Sequence, residues 1–221
     1  IVTDVSTSGS QNTVMGIDGQ MRFWGSSSVN AWYSQVEDSE IDDPSVASMI
    51  RLDLKNDRYF LSTGQHRVDK DFNPELGFVQ RQDMIGTGII AGFTPRVGDG
   101  DELIRQWRFT IYARDVQNHA GIHETGVLNG GIEAILETRD KIGLKVIQNK
   151  EKLTAGFTLG NGVEIQKGNY RDRKISFSAR TNQSRGVWGN FALSKGDYFG
   201  GNKTSMSGSI GKQFSNHLTL Y

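Results

Sequence analysis

Cysteine is absent from all 221 residues, which removes disulfides, thiolate metal sites and a cysteine nucleophile together. An excess of either charge is absent too: 25 basic side chains balance 25 acidic ones. Phosphate-dominated binding needs a cationic excess or stripe, so no nucleic-acid partner is expected. No apolar run approaches the roughly 18 residues of a membrane-crossing helix, and a helical membrane protein is excluded. A transmembrane barrel is not excluded, because its strands hide lipid-facing residues among polar ones. Proline is scarce, at 3 against 27 glycines, a balance that suits many strands joined by many turns.

What is present is alternation. From Leu103 to Arg114 one parity carries Leu103, Arg105, Trp107, Phe109, Ile111 and Ala113, and the other Ile104, Gln106, Arg108, Thr110, Tyr112 and Arg114. An apolar set opposed by long cationic and hydroxyl groups is what a strand with two unlike faces produces. Arg108, Tyr112 and Arg114 are accordingly the candidate ligand-contacting residues of a polar lumen. Met21 to Val36, Ser48 to Lys55, Tyr59 to Val68, Met84 to Thr94, Gly126 to Thr138 and Ile142 to Gln148 read as strands as well. So do Leu153 to Leu159, Lys174 to Arg180, Arg185 to Lys195 and Thr204 to Lys212. Pro44, Pro74 and Pro95 all fall outside these runs, as ladder hydrogen bonding demands.

Short turns are expected at Thr138-Arg139-Asp140-Lys141, Gly160-Asn161-Gly162 and Thr181-Asn182-Gln183-Ser184. Longer polar loops are expected at Glu37 to Ser45, Val97 to Glu102, Asp115 to Glu124 and Lys195 to Lys203. Short turns at one end and long loops at the other describe a membrane barrel, although a soluble sandwich shows something similar. Strand length favours the barrel, since several runs approach the 9 to 11 residues that cross a bilayer at a tilt. The expected fold is all-β: an antiparallel meander of long strands forming part of an outer-membrane-type barrel, as a single domain.

The segment Asp71-Phe72-Asn73-Pro74-Glu75-Leu76-Gly77-Phe78-Val79-Gln80-Arg81 resembles the signature of an uncharacterised bacterial outer-membrane family. In that family a domain similar to a family-nine carbohydrate-binding module precedes a C-terminal barrel domain of unknown function. Gly16-Ile17-Asp18-Gly19, Gly168-Asn169-Tyr170 and Tyr198-Phe199-Gly200-Gly201 are similar to further stretches of the C-terminal domain. The resemblance implies an outer-membrane barrel in contact with lipid and lipopolysaccharide, a link to glycans, and no reaction or cofactor. It also implies a fragment. The chain starts Ile1-Val2-Thr3 without initiator Met or signal pattern, and Tyr221 is preceded at two-residue spacing by polar Thr219 and His217. Closing strands of outer-membrane barrels carry apolar residues there.

The chemistry-bearing residues each have a plainer reading. His119 and His123, four apart and followed by Glu124, would form a metal pair on a helix, but Asn118 and Gly121 point to a solvent-exposed hairpin loop. His66 and His217 read as isolated strand-face histidines. The acidic run Glu37, Asp38, Glu40, Asp42 and Asp43 lacks calcium-loop spacing and reads as a solvated loop, with divalent bridging to anionic lipid sugars as its alternative. Asp99-Gly100-Asp101 reads as a turn. Glu133 and Glu137 share a strand face at roughly 13 Å, too far apart for glycoside hydrolysis.

Around Pro74 the chain must leave the ladder, so Phe72, Asn73, Pro74, Glu75, Gly77, Phe78 and Arg81 are expected to build a structural corner or plug. Phe72 and Phe78 would bracket it and Arg81 would pair with Glu75. Trp24, Trp32, Trp107, Trp188, Tyr33, Tyr59, Tyr170 and Tyr198 read as an interface girdle near strand ends, with sugar stacking as the rival. The expected function is a non-enzymatic outer-membrane barrel segment that binds or passes glycans. The alternative is a soluble β-rich domain that binds or cleaves them. The two differ in whether Trp107, Phe109 and Ile111 face outward or lie buried against a second sheet.

Overall fold

The computed structural model describes residues 1–6, 11–97, 103–160, 162–215 and 218–220. Asp99-Gly100-Asp101, most of the Val97 to Glu102 loop, Asn161, His217 and Tyr221 lie outside the described residues. No helix forms among the described residues, so none is long and apolar enough to cross a membrane, which says nothing of strands.

The elements are β1 (Val2–Ser6), β2 (Gln11–Phe23), β3 (Ser27–Asp38), β4 (Ser45–Lys55) and β5 (Tyr59–Val68). They continue as β6 (Met84–Phe93), β7 (Ile104–Gln117), β8 (His123–Leu136), β9 (Lys141–Leu153), β10 (Phe157–Thr158) and β11 (Glu164–Ile165). β12 (Gly168–Arg180), β13 (Val187–Tyr198), β14 (Gly201–Ser215) and β15 (Leu218–Leu220) complete the chain. Strands β1 to β9 and β12 to β15 follow one another in a single 13-stranded sheet, while β10 and β11 pair separately. Every register determined is antiparallel, so the fold is an all-β meander. Among the described residues β1 and β15 end the strand order and do not pair with each other.

Two compact units are present. The first comprises Ile1–Asn56, Phe60–Ile90 and Arg114–Gly126; the second comprises Asp57–Tyr59, Ala91–Ala113 and Val127–Tyr221.

Alternation located the sheet and several boundaries moved. Tyr59 to Val68 is a strand as read. Met21 to Val36 is not one run: Trp24 and Gly25 both take positive φ, and the chain reverses between the paired residues Phe23 and Ser27. Leu153 to Leu159 is likewise broken, because β9 ends at Leu153 and only Phe157–Thr158 pairs again. The loop expected over Asp115 to Glu124 shrinks to 118–122 as β7 and β8 extend into it.

The loop expected over Lys195 to Lys203 is a two-residue hairpin, since Tyr198 pairs with Gly201 and only Phe199 and Gly200 lie between. Both take positive φ, 47° and 80°, the requirement of a turn whose twist matches that of its strands. A phenylalanine rarely adopts this backbone region. Here the Phe199 N–H donates to Asp172 at 3.0 Å, and its ring meets Phe157, Tyr170 and Tyr198 at centroid distances of 5.5, 5.2 and 4.9 Å. In a meander, alternate connections share an end, so this two-residue turn lies at the same end of the second unit's strands as the long 154–167 connection. Short and long connections are therefore not segregated there.

Candidate functional site

The most informative geometry is the contrast between the two faces of the sheet, read within each unit from directly opposed residues. In the second unit Leu144, Phe177, Leu193 and Met206 form one row across β9, β12, β13 and β14. They are 47, 38, 38 and 74% exposed. Ile142, Ala179 and Phe191 make the neighbouring row, and Val146 opposes Ile175 on the other side. The other parity is mixed: Lys174, Ser176 and Ser194 are half-buried, while Lys145, Ser178, Lys203 and Ser205 are exposed. A water-soluble sheet hides its apolar parity; here the apolar rows are exposed.

Strand β7 follows the same rule. Phe109 and Ile111 are exposed, Trp107 stacks on Phe109 at 6.3 Å, and Arg108, Thr110 and Tyr112 take the half-buried parity. Arg108 donates to Glu133 at 3.0 Å, which accounts for Glu133. Glu137 lies beyond the end of β8, with its N–H bonded to the Leu103 carbonyl, so the supposed shared strand face of Glu133 and Glu137 does not exist. Tyr112 and Arg114 take the same parity as Arg108, Tyr112 half-buried and Arg114 exposed.

In the first unit the exposed parity carries Met15, Ile17 and Met21 on β2, Tyr33 on β3 and Ile50 on β4. The opposite face begins as a polar chain. Gln20 donates to Asn30 at 2.6 Å, Asn30 to Ser28 at 3.2 Å, and Arg51 to both Asp53 and Ser62 at 3.0 Å. Further along the same face it turns apolar: Val36, Ala47, Val68, Met84 and Val116 are buried, with Val14, Trp32 and Val79 packed against them. The side chain that fills this cluster is Phe72, 6% exposed.

Phe72 arrives there because residues 69–83 leave the ladder and fold back. The Asp83 N–H bonds the Asp69 carbonyl at 3.3 Å, closing the neck of a compact loop. Asn12, 2% exposed, donates to Asp38 at 2.9 Å and to the Asn73 carbonyl at 3.0 Å, and accepts the Glu75 N–H at 3.3 Å. Three of its four hydrogen-bonding positions are thus used, two of them to hold the loop and one to reach Asp38 on β3. Gln82 donates to the Phe72 carbonyl at 2.8 Å, and the Gly77 N–H bonds the Pro74 carbonyl at 3.0 Å. The structural plug expected around Pro74 is present, with two corrections. Arg81 pairs with Glu124 and donates to Thr125, not Glu75, and Phe78 does not bracket the turn but projects at 89% exposure.

His119 lies in an exposed turn between β7 and β8, as expected, and it also acts as a clasp. Its Nδ1 lies 2.8 Å from Asp83 and its Nε2 3.1 Å from Asp69, the two ends of the loop neck. Asp69 also accepts from the Val46 N–H and from Arg67, both at 3.0 Å. His123 opens β8 and pairs with Asp115 at 2.8 Å, while His66 lies on its strand face with its ring 5.4 Å from Trp32. Nor is the acidic run one solvated loop, because Glu37 and Asp38 belong to β3 and Asp38 binds Asn12 and the Glu40 N–H.

Of the proposed girdle, Trp24, Tyr59, Trp188, Tyr170 and Tyr198 lie at or near strand ends, whereas Trp32 and Tyr33 sit in the middle of β3. Tyr59 stacks on Phe93 at 4.9 Å, and Phe93 on Phe109 at 6.3 Å, on the exposed parity. The residues missed by the sequence reading are Asn12, Gln82 and the Asp69–His119–Asp83 clasp. No family model, characterised protein or solved structure matches the chain.

Proposed function

We propose that this chain is a membrane-embedded wall of an outer-membrane-type β-barrel, with its apolar parity against lipid and lipopolysaccharide and its polar parity turned to solute. The observation that carries the reading is the row Leu144, Phe177, Leu193 and Met206, side by side on four strands and all exposed. Exposed apolar patches mark a missing apolar partner. Lipid is the partner that accepts a whole sheet face, because it leaves no backbone group unpaired between hydrogen-bonded strands. Strands β2 to β9 and β12 to β14 have 10 to 15 residues, long enough to cross the hydrocarbon at a tilt. The role is binding or passage of glycans on the polar face, consistent with the resemblance of the Asp71 to Arg81 segment, and it involves no chemical step.

The test is insertion. Full-length chain refolded from urea in the presence of phospholipid vesicles is expected to float with them after an alkaline wash. Brominated acyl chains should then quench its tryptophan emission, and unheated samples should migrate anomalously in detergent gels. A chain that stays monomeric and dispersed in buffer, with Phe109 and Phe177 protected there from surface labelling, would be the soluble glycan-binding or glycan-cleaving domain instead.

A further inference from the structure

The polar face of the second unit holds an arrangement that the lipid reading does not use. Gly196 on β13 is directly opposed by Lys174 on β12 and by Lys203 on β14, so the two lysines share a row with a bare glycine between them. Only glycine fits at this position. A Cβ there would come within 2.1 Å of the Arg173 carbonyl oxygen and 2.4 Å of the Lys174 Cα. The lysine Cα atoms stand about 10 Å apart, two interstrand spacings, and lysine side chains can converge across that gap. The next row on the same face is Ser176, Ser194 and Ser205, again directly opposed. Two cations thus flank a side-chain-free floor edged by three hydroxyls.

No carboxylate lies within ion-pairing distance of Lys174 among the described residues, and the Lys203 ammonium sits 4.5 Å over the Tyr198 ring. Asp172, on the same parity two residues from Lys174, accepts the Phe199 N–H and is not ion-paired with either lysine. Two ammonium groups, Lys174 half-buried and Lys203 exposed, hydroxyls that both donate and accept, and an adjacent aromatic face together fit an oxyanion carried on a sugar.

We infer that Lys174, Lys203, Ser176, Ser194 and Ser205, around Gly196, form an anion-binding site for the carboxylate or phosphate group of an acidic saccharide. The site lies on the face opposite the apolar rows, so it stands whether or not the sheet is inserted in lipid.

Binding is measured on the full chain folded in a zwitterionic, sugar-free detergent, by calorimetric titration with inorganic phosphate, glucuronate and glucose. Phosphate and glucuronate are expected to bind competitively, more weakly as salt rises, and glucose not at all. Preference for phosphate over glucuronate would identify a phosphorylated ligand, and the reverse an uronic acid. The double variant Lys174→Gln with Lys203→Gln removes two charge-assisted contacts and should weaken binding about tenfold or more. Lys195→Gln, on the opposite parity of β13, should bind as wild type does, and circular dichroism of both variants checks that the sheet is retained. Wild-type protein that fails to bind phosphate and glucuronate at millimolar concentration overturns the site. So does a folded double variant with undiminished affinity, or equal loss from Lys195→Gln. Vesicle flotation is read separately, so loss of the membrane reading and loss of this site are distinguishable.

Discussion

In the first unit the face turned away from the apolar rows is itself apolar over part of its length, where Phe72 buries Val36, Ala47 and Val68 to 2 or 3% exposure. The corresponding parity in the second unit carries lysine and serine, and the buried apolar residues of that unit among those described lie elsewhere, Ala134 on the parity of Leu128 and Ile132 and Ile165 in the separate β10–β11 pair. Both units expose apolar residues on the other parity. What separates them is a single 15-residue excursion, 69–83, and the polar contacts at its neck. A strand face with nothing folded onto it stays polar; one that holds a folded-back segment has an apolar socket. The two conditions can be met by the same alternating strands because the second parity is free to vary once the first has been fixed.

The sharpest way to break this comparison is to empty the socket. Phe72→Ala should destabilise the first unit by about 3–5 kcal/mol, since deletion of a buried aromatic leaves a cavity lined by Val36, Met84 and Val116. Hydrogen exchange measured peptide by peptide should place the loss in 69–83 and the strands beneath it, leaving 168–198 unchanged. Equal protection loss in both units would mean that the socket does not belong to the first unit alone.

Reversing polarity on the exposed parity tests the feature the two units share. In vesicles Phe177→Lys should cost about 2–4 kcal/mol if its row lies near the bilayer midplane. In water an exposed substitution of this kind stays within about 0.5 kcal/mol. Ser178→Lys, the next residue and the opposite parity, should be close to neutral in both settings. Urea titrations with and without lipid read the four values. Phe177→Lys with no extra cost in lipid would remove the case for a lipid-facing row.

Asn12→Ala sharpens the contrast at the level of hydrogen bonds. It strips partners from Asp38, the Asn73 carbonyl and the Glu75 N–H at a site 2% exposed, and should cost about 1–3 kcal/mol. Arg108→Ala in the second unit breaks a half-exposed ion pair and should cost under about 1 kcal/mol. Thermal unfolding of the two variants orders them.

Much of the sheet was legible because period-two alternation survives in any strand with unlike faces. Tyr59–Val68 and the exposed parity of β7 were found on that signal alone. The Lys195 to Lys203 stretch was misread because a run of polar and small residues looks like a loop, whereas Phe199 and Gly200 reverse the chain in two residues by a backbone geometry that phenylalanine seldom takes. Pro74 announced a departure from the ladder, since proline cannot donate to it. Where the departing chain would land was not legible, because Asn12 is 61 residues from Asn73 and His119 lies far along the chain from both ends of the loop it clasps. Arg81 was given Glu75, six residues back in the same segment, when the fold brings Glu124 to it instead.

The smallest expected effect compares the polar fastenings of the two units by acid titration. Asp83 is held below its ordinary value by the N–H and then the ring of His119, and Asp140 by the Asn182 N–H, the Thr138 hydroxyl and Arg185. A carboxyl whose value is lower in the folded state than in the unfolded one binds fewer protons when folded, so folding is favoured wherever the unfolded chain would still be charged. That contribution is complete above the unfolded value, 3.8, and disappears as pH falls through the depressed folded values. Stability should therefore be flat in these two groups from pH 7 to about 5 and decline in more acid solution. Asp83→Asn should flatten the decline for exchange-protected amides in 69–83 and 118–122, and Asp140→Asn for those in 137–141 and 181–189. If both substitutions flatten both regions equally, the two units do not respond to acid as separate bodies, and the distinction between their fastenings fails.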